Sequence, residues 1–196
     1  MKSQAQSFQE KGIYTLAYPT ALREAVERAE KSWRSFLALS QEAKSLFAYS
    51  NGGAGFGYEL KQGEGVAGDR KENFDLTVAG VDSLKRIIAA TDDKITATFL
   101  ENAVTVLELL QPSVIKFAED VDAEFGLQGF VDEVKASDVG YFVRFIHYFG
   151  DRQLGDETAT AHVDQSGFTF HLFESASGLQ CLPYDKSGWV DMPVSA

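Results

Sequence analysis

The spacing of apolar residues changes near residue 138, and this change most limits which folds the sequence can adopt. Before it, apolar side chains recur at helical spacing over residues 20–39 and again over residues 92–125. After it, residues 140–149 alternate with the two-residue period of a β-strand. The sequence therefore predicts an α+β protein, with a mostly helical region at 1–137 and a strand-rich region at 138–196.

Local signals divide the helical region further. Residues 12–18 are rich in β-branched and aromatic side chains, which predicts a short strand. Ser40 predicts the N-cap of a short helix that reaches residue 49. In the long helix, Pro112 should cause a kink or a break, and Gly126 should mark the end. A Gly-rich loop is expected after the short helix, over residues 50–70.

Composition excludes several classes of partner. The chain has 196 residues and a net charge of −11, so neither nucleic acid nor an anionic membrane is expected to bind it. The N-terminal residues lack the apolar segment of a signal peptide, and no apolar run is long enough for a membrane helix. The single cysteine, Cys181, cannot form an internal disulfide and is interpreted as a packed strand residue. We therefore expect a cytoplasmic protein that acts on a small molecule.

One short motif carries candidate chemistry. His162 and Asp164 are separated by one residue within strand-like sequence, so both side chains should project from the same side. An imidazole nitrogen and a carboxylate oxygen are two of the three ligands in a 2-His-1-carboxylate iron site. The alternative is a hydrogen-bonded surface pair, and the spacing alone does not separate the two interpretations.

Motifs around this pair occur in a recognisable order. They are the strand 144–149 (RFIHYF), then HVDQSGFTFHL at 162–172, GLQ at 178–180 and GWVDMP at 188–193, preceded by FLALSQEAK at 36–44. This order resembles the iron(II)/2-oxoglutarate-dependent oxygenases of the isopenicillin N synthase-like family. Phe149 replaces the usual proline of that family, and Met192 stands where valine is common.

The resemblance implies a fold and a reaction. A helical N-terminal half would pack on a double-stranded β-helix, or jelly-roll, core. Iron(II), 2-oxoglutarate and O2 would oxidise a small organic substrate by hydroxylation, desaturation or ring closure. His162 and Asp164 would bind the metal. Tyr148 matches a family tyrosine near the co-substrate or substrate, with a core tyrosine as the alternative.

Two further side chains are candidates for the substrate pocket. His171 matches a family position that can face the pocket, although core packing is an alternative and a role as third ligand is not expected. Tyr58 lies in the Gly-rich loop and is a possible substrate contact, with a simple turn as the alternative.

The sequence departs from the family in its last part. The family supplies a second metal-binding histidine and an Arg-x-Ser motif after these strands, but no histidine follows His171 and no arginine follows Arg152. We therefore expect an incomplete jelly roll, completed by a missing C-terminal segment or by a partner chain. The alternative is a catalytically inactive jelly-roll module that binds a small molecule or a partner protein. Some relatives do not use 2-oxoglutarate, so its use stays open.

Overall fold

The computed structural model describes residues 8, 11–49, 55–62, 69–136, 141–150, 157–164, 167–185 and 188–192. The α-helices are α1 (Thr20–Leu37), α2 (Gln41–Ser45), α3 (Val81–Ala90), α4 (Lys94–Phe125) and α5 (Phe130–Ala136), and a 3-10 turn (Val78–Gly80) precedes α3. The strands are β1 (Phe56–Gln62), β2 (Arg70–Thr77), β3 (Phe142–Tyr148), β4 (Gln180–Cys181) and β5 (Val190–Asp191). This mixture of helices and small antiparallel sheets confirms the predicted α+β class.

Helix α4 is continuous across Pro112, so of the predicted kink or break, the break does not occur. Its Asp93 N-cap accepts hydrogen bonds from two backbone N–H groups, and its C-cap Gly126 adopts the left-handed region at φ 61°. Pro112 lies on the exposed side of the helix. Water can hydrate the carbonyl of Glu108 there, which loses its usual i+4 donor, and this explains why the helix tolerates the proline. The predicted stop at Gly126 is confirmed.

Helices α1 and α4 pack against each other and form one layer of the molecule. Each buries an apolar stripe, and Asn102 of α4 donates a hydrogen bond to Ser32 of α1 at 3.0 Å. Phe99 of α4 is fully buried, and its ring lies 4.8 Å from that of Phe36 and 5.1 Å from that of Phe74. The core is therefore an aromatic cluster between helices and sheet.

The second layer is an antiparallel sheet in the order β1-β2-β3. In its register Tyr58 is opposite Phe74, and Phe74 is opposite Phe145, so these three side chains share one face. We call this the core face, because its rings contact those of Phe36 and Phe99. The opposite face, called the polar face below, carries Lys71, Asn73, Asp75, Phe142, Arg144, Ile146 and Tyr148.

The sheet corrects two expectations about strands. The described part of the predicted 50–70 loop contains β1, whose residues alternate between the two faces. No strand is assigned over 12–18, because this segment has no ladder partner among the described residues. Strand β3 pairs with β2 on one side, and no second strand partner for it lies among the described residues. Since β2 and β3 come from different predicted regions, the 1–137 and 138–196 regions share one sheet and one core.

Helix α2 is shorter than predicted because the chain after it joins the sheet. The predicted Ser40 cap is confirmed, since its hydroxyl accepts from the Ala43 N–H at 3.2 Å. Beyond the helix, the Tyr49 N–H donates to the Tyr58 carbonyl at 2.8 Å. A Cβ on Gly57 would lie 2.3 Å from the Tyr49 Cα, so this close approach requires glycine.

The last described residues form a small two-stranded ladder. Gln180 pairs with Asp191 and Cys181 with Val190, which confirms the strand prediction for Cys181. Residues 161–164, predicted to begin the metal-binding strand, and the segment 167–174 after them carry no ladder among the described residues. The second packs on α4 instead, with the Phe168 ring 4.7 Å from that of Phe117. No described helix has the length and apolarity needed to cross a membrane.

Candidate metal site

The predicted pair, His162 and Asp164, does converge. His162 Nε2 lies 3.3 Å from Asp164 Oδ1, although no strand ladder fixes this segment. Two ligand atoms that each lie about 2.1 Å from a metal ion at a right angle are about 3.0 Å apart. The observed separation is close to that value, so the two atoms can share one cation with a small adjustment.

The other ring nitrogen of His162 has a backbone partner. Nδ1 lies 2.7 Å from the carbonyl oxygen of Thr160. A carbonyl only accepts, so Nδ1 donates in this contact. In the neutral ring the lone pair is then on Nε2 and faces Asp164 Oδ1, an arrangement that a cation shared by the two atoms would stabilise. This is the arrangement that orients a histidine for metal binding.

Asp164 is held in a similar way. The Thr169 hydroxyl donates to Asp164 Oδ2 at 2.5 Å, and Oδ1 faces the imidazole. One oxygen is therefore used for positioning and the other points at the position where a cation would lie. Thr169 belongs to the segment packed on α4, so this contact connects the site to the helical layer.

The described residues supply two ligands and not three. Across the described ranges, no group of three or more His, Cys, Asp or Glu side chains is arranged to hold a metal ion. The side chains of His162 and Asp164 are 60% and 50% exposed, which leaves the remaining coordination positions open to solvent or substrate. Their donor set, one imidazole and one carboxylate, fits iron(II) in type but leaves its protein coordination incomplete.

Contacts connect the pair to the beginning of β2. The Thr160 N–H donates to Asp69 Oδ1 at 3.3 Å, and Lys71 Nζ donates to Asp69 Oδ2 at 3.2 Å. Burial would raise the pKa of Asp69, but the hydrogen bonds from Lys71 and Thr160 lower it overall. The Lys71 ammonium also lies 5.7 Å from the ring centroid of Tyr148. Tyr148 therefore belongs to the same neighbourhood as the metal pair, through Lys71 and Asp69.

Tyr58, predicted as a possible pocket residue, is placed elsewhere. It is buried on the core face, which is opposite to the face that carries Tyr148. Its hydroxyl donates to Glu72 Oε2 at 2.6 Å and lies 3.1 Å from Gln41 Oε1. This placement gives Tyr58 a structural contact and does not support its role in a pocket with Tyr148.

His171, the other pocket candidate, lies on the exposed side of its segment. Burial alternates there, with Phe170 and Leu172 packed against the core and His171 facing outward like Thr169. Its Nε2 is 3.4 Å from Glu174 Oε2. His171 therefore faces the same side of its segment as Thr169 does. It does not complete a three-ligand group among the described residues.

A buried polar cluster on the core face was not foreseen from the sequence. Lys44 Nζ contacts Glu72 Oε2 at 2.7 Å, and His147 Nδ1 lies 3.0 Å from Glu72 Oε1. Burial would raise the pKa of Glu72, but hydrogen bonds from Lys44, Tyr58 and His147 lower it overall. His147 and Tyr148 are neighbours on β3, so their side chains point to opposite faces of the sheet. The cluster attaches α2 to the sheet and is separate from the metal pair.

Comparisons with known proteins do not assign the chain to a family. No family model matches it, and no curated protein and no solved structure is detectably similar to it.

Proposed function

We propose that this chain is a non-haem iron(II) oxygenase that oxidises a small organic substrate with O2 and 2-oxoglutarate. The observation that supports this most strongly is the convergence of His162 Nε2 and Asp164 Oδ1 at 3.3 Å. Each side chain also has its other polar atom engaged, by Thr160 and by Thr169 respectively. A chance surface pair has no need for these supporting contacts, whereas a metal site depends on them.

The proposed fold is a jelly roll of which the β1-β2-β3 sheet is one part. In support, α1 and α4 cover one face of the sheet and leave Phe142 and Ile146 of β3 exposed on the other. In a jelly roll that polar face would line the interior of the barrel. Arg144 and Asp75 form a two-bond ion pair there, at 2.7 and 2.6 Å, so the face already has an ordered polar network.

In this proposal the residues of the chain have distinct tasks. His162 and Asp164 would hold iron(II), which supplies oxidation of a C–H bond together with O2 and 2-oxoglutarate. Thr160 keeps the imidazole in the tautomer that presents Nε2, and Thr169 keeps Asp164 Oδ1 directed at the same point. Tyr148, near Lys71 on the polar face, is the candidate to donate a hydrogen bond to a bound carboxylate. The third protein ligand is not among the described residues.

Metal titration tests the proposal directly. Iron(II) added to the protein under anaerobic conditions should bind with one-to-one stoichiometry, as measured by calorimetry. His162→Ala and Asp164→Ala should each weaken binding by more than about 100-fold, because loss of outer-shell partners alone costs about 10–100-fold. His171→Ala is the matched control, since it removes another exposed histidine that lies outside the pair.

Equal binding by wild type, His162→Ala and Asp164→Ala would contradict the proposal. Weaker binding in His171→Ala than in His162→Ala would also contradict it, by moving the site to the wrong histidine. The preparation that binds iron should then consume 2-oxoglutarate in the presence of O2, and the two ligand variants should not.

A binding module without catalysis is the second candidate. It is favoured by the exposure of both ligand side chains, at 60% and 50%, because catalytic metal sites usually lie in concave, largely buried pockets. The iron(II) titration distinguishes the two candidate functions. The oxygenase must bind iron(II) through His162 and Asp164, whereas an inactive module has no such requirement.

A further inference from the structure

A series of polar contacts connects the beginning of β2 to the imidazole of His162. Lys71 donates to Asp69 Oδ2 at 3.2 Å, and Asp69 Oδ1 accepts the Thr160 N–H at 3.3 Å. The carbonyl of the same residue, Thr160, lies 2.7 Å from His162 Nδ1. Both backbone groups of Thr160 are therefore engaged, one by a carboxylate and one by the imidazole.

The first contact of this series, between Lys71 and Asp69, lies at the sheet. Lys71 lies in β2, opposite Tyr148 of β3, and the side chains of Lys71 and Asp69 are 18% and 21% exposed. In contrast, the segment 157–164 carries no ladder hydrogen bonds among the described residues. The Asp69 contact therefore attaches an irregular segment to the sheet two residues before the candidate ligand.

We infer that Asp69 is a positioning residue for His162, acting through the backbone of Thr160. By holding the Thr160 N–H, Asp69 fixes the direction of the Thr160 carbonyl. This carbonyl is 2.7 Å from Nδ1, whereas Asp164 Oδ1 is 3.3 Å from Nε2, so the shorter contact favours the Nδ1–H tautomer of His162. The effect of Asp69 on metal affinity rests on the proposed function, because the Nδ1–H tautomer presents the Nε2 lone pair to a cation. The tautomer itself is a property of the metal-free protein and can be measured without that assumption.

Nitrogen-15 NMR of the imidazole rings tests this inference in the metal-free protein. The chain contains three histidines, so a His162→Gln variant assigns the signals of His162. Spectra are recorded at rising pH until the shifts stop changing, so that only the neutral ring is read. Wild type should show mainly the Nδ1–H tautomer. Asp69→Ala should shift His162 towards a mixture of both tautomers.

Two further variants separate positioning from a general loss of structure. Asp69→Asn keeps an acceptor oxygen for the Thr160 N–H and should preserve more of the Nδ1–H tautomer than Asp69→Ala does. Glu24→Ala removes an exposed carboxylate from α1 and should leave the tautomer ratio unchanged. Iron(II) binding should be about 10–100-fold weaker in Asp69→Ala, the range typical of outer-shell partners.

The outcomes are distinguishable. An unchanged tautomer ratio in Asp69→Ala, or a wild type in the Nε2–H tautomer, overturns the inference. A shifted tautomer in a protein whose wild type binds no iron(II) supports the positioning role and rejects the proposed function. If Asp69→Ala does not fold, Lys71→Met takes its place, because it removes the cation that orients the Asp69 carboxylate. The inference then requires a shifted ratio in Lys71→Met, and an unchanged ratio overturns it.

Discussion

Replacement of Phe99 by alanine is expected to lower the free energy of unfolding by about 3–5 kcal/mol. Phe99 is fully buried, and its ring contacts those of Trp33, Phe36, Phe74 and Phe145 at 4.8 to 5.3 Å. Alanine would remove buried apolar surface and leave a cavity lined by four rings. The surrounding helices and sheet are closely packed and can relax into such a cavity only in part. Urea unfolding followed by circular dichroism measures the loss.

The matched control for Phe99 is Phe142, which is 42% exposed on the polar face. Phe142→Ala makes the same chemical change outside the core and should cost less than about 1 kcal/mol. Similar losses for the two variants would contradict the placement of the core between α4 and the sheet.

Replacement of Lys44 by methionine is expected to cost about 3–5 kcal/mol, the usual effect of leaving a buried charge without its partner. The side chains of Lys44 and Glu72 are each only 8% exposed, and their ion pair is 2.7 Å long. Methionine fills the space of the lysine stem but leaves the Glu72 carboxylate buried beside Tyr58 and His147. Adding Glu72→Gln to Lys44→Met should recover much of the loss, since the buried group is then neutral.

The pH dependence of stability gives this prediction a second readout. Hydrogen bonds lower the pKa of Glu72 in the folded state despite its burial, so its ordinary value of 4.5 applies to the unfolded state only. A lowered folded pKa gives stability that is present above pH 4.5 and is lost as the pH falls further. In Lys44→Met, burial should instead raise that pKa, so protonation relieves the variant. The difference between wild type and Lys44→Met should therefore shrink as the pH falls through 4.5, and a constant difference would contradict the buried-pair account.

The two long helices, α1 and α4, could be predicted well because their signal is local. α1 and α4 begin and end within two residues of the boundaries that apolar spacing indicates. The β1-β2 hairpin was missed for a physical reason: glycines at 52–57 and 63–68 dominate the composition, although Phe56, Tyr58 and Leu60 alternate as a strand requires. Residues 12–18 have strand propensity, but propensity does not supply a ladder partner, and none of the described strands pairs with them.

The contrast between local sequence signals and contacts from distant parts of the sequence also applies to the candidate site. The spacing of His162 and Asp164 was sufficient to predict that their side chains meet, because positions i and i+2 of an extended chain face the same side. Asp69 could not be predicted, since it contacts Thr160 from 91 residues away. Tyr58 was considered as a possible substrate contact because long glycine-rich loops often line pockets, with a simple turn as the alternative, whereas the sheet register places it in the core.

Anomalous diffraction from crystals of the iron-loaded protein shows directly whether His162 and Asp164 bind iron together. We expect an anomalous peak at the iron edge that lies about 2.0–2.2 Å from both His162 Nε2 and Asp164 Oδ1. A peak bound by other side chains, or a direct contact between His162 and Asp164 that persists without iron between them, would contradict it.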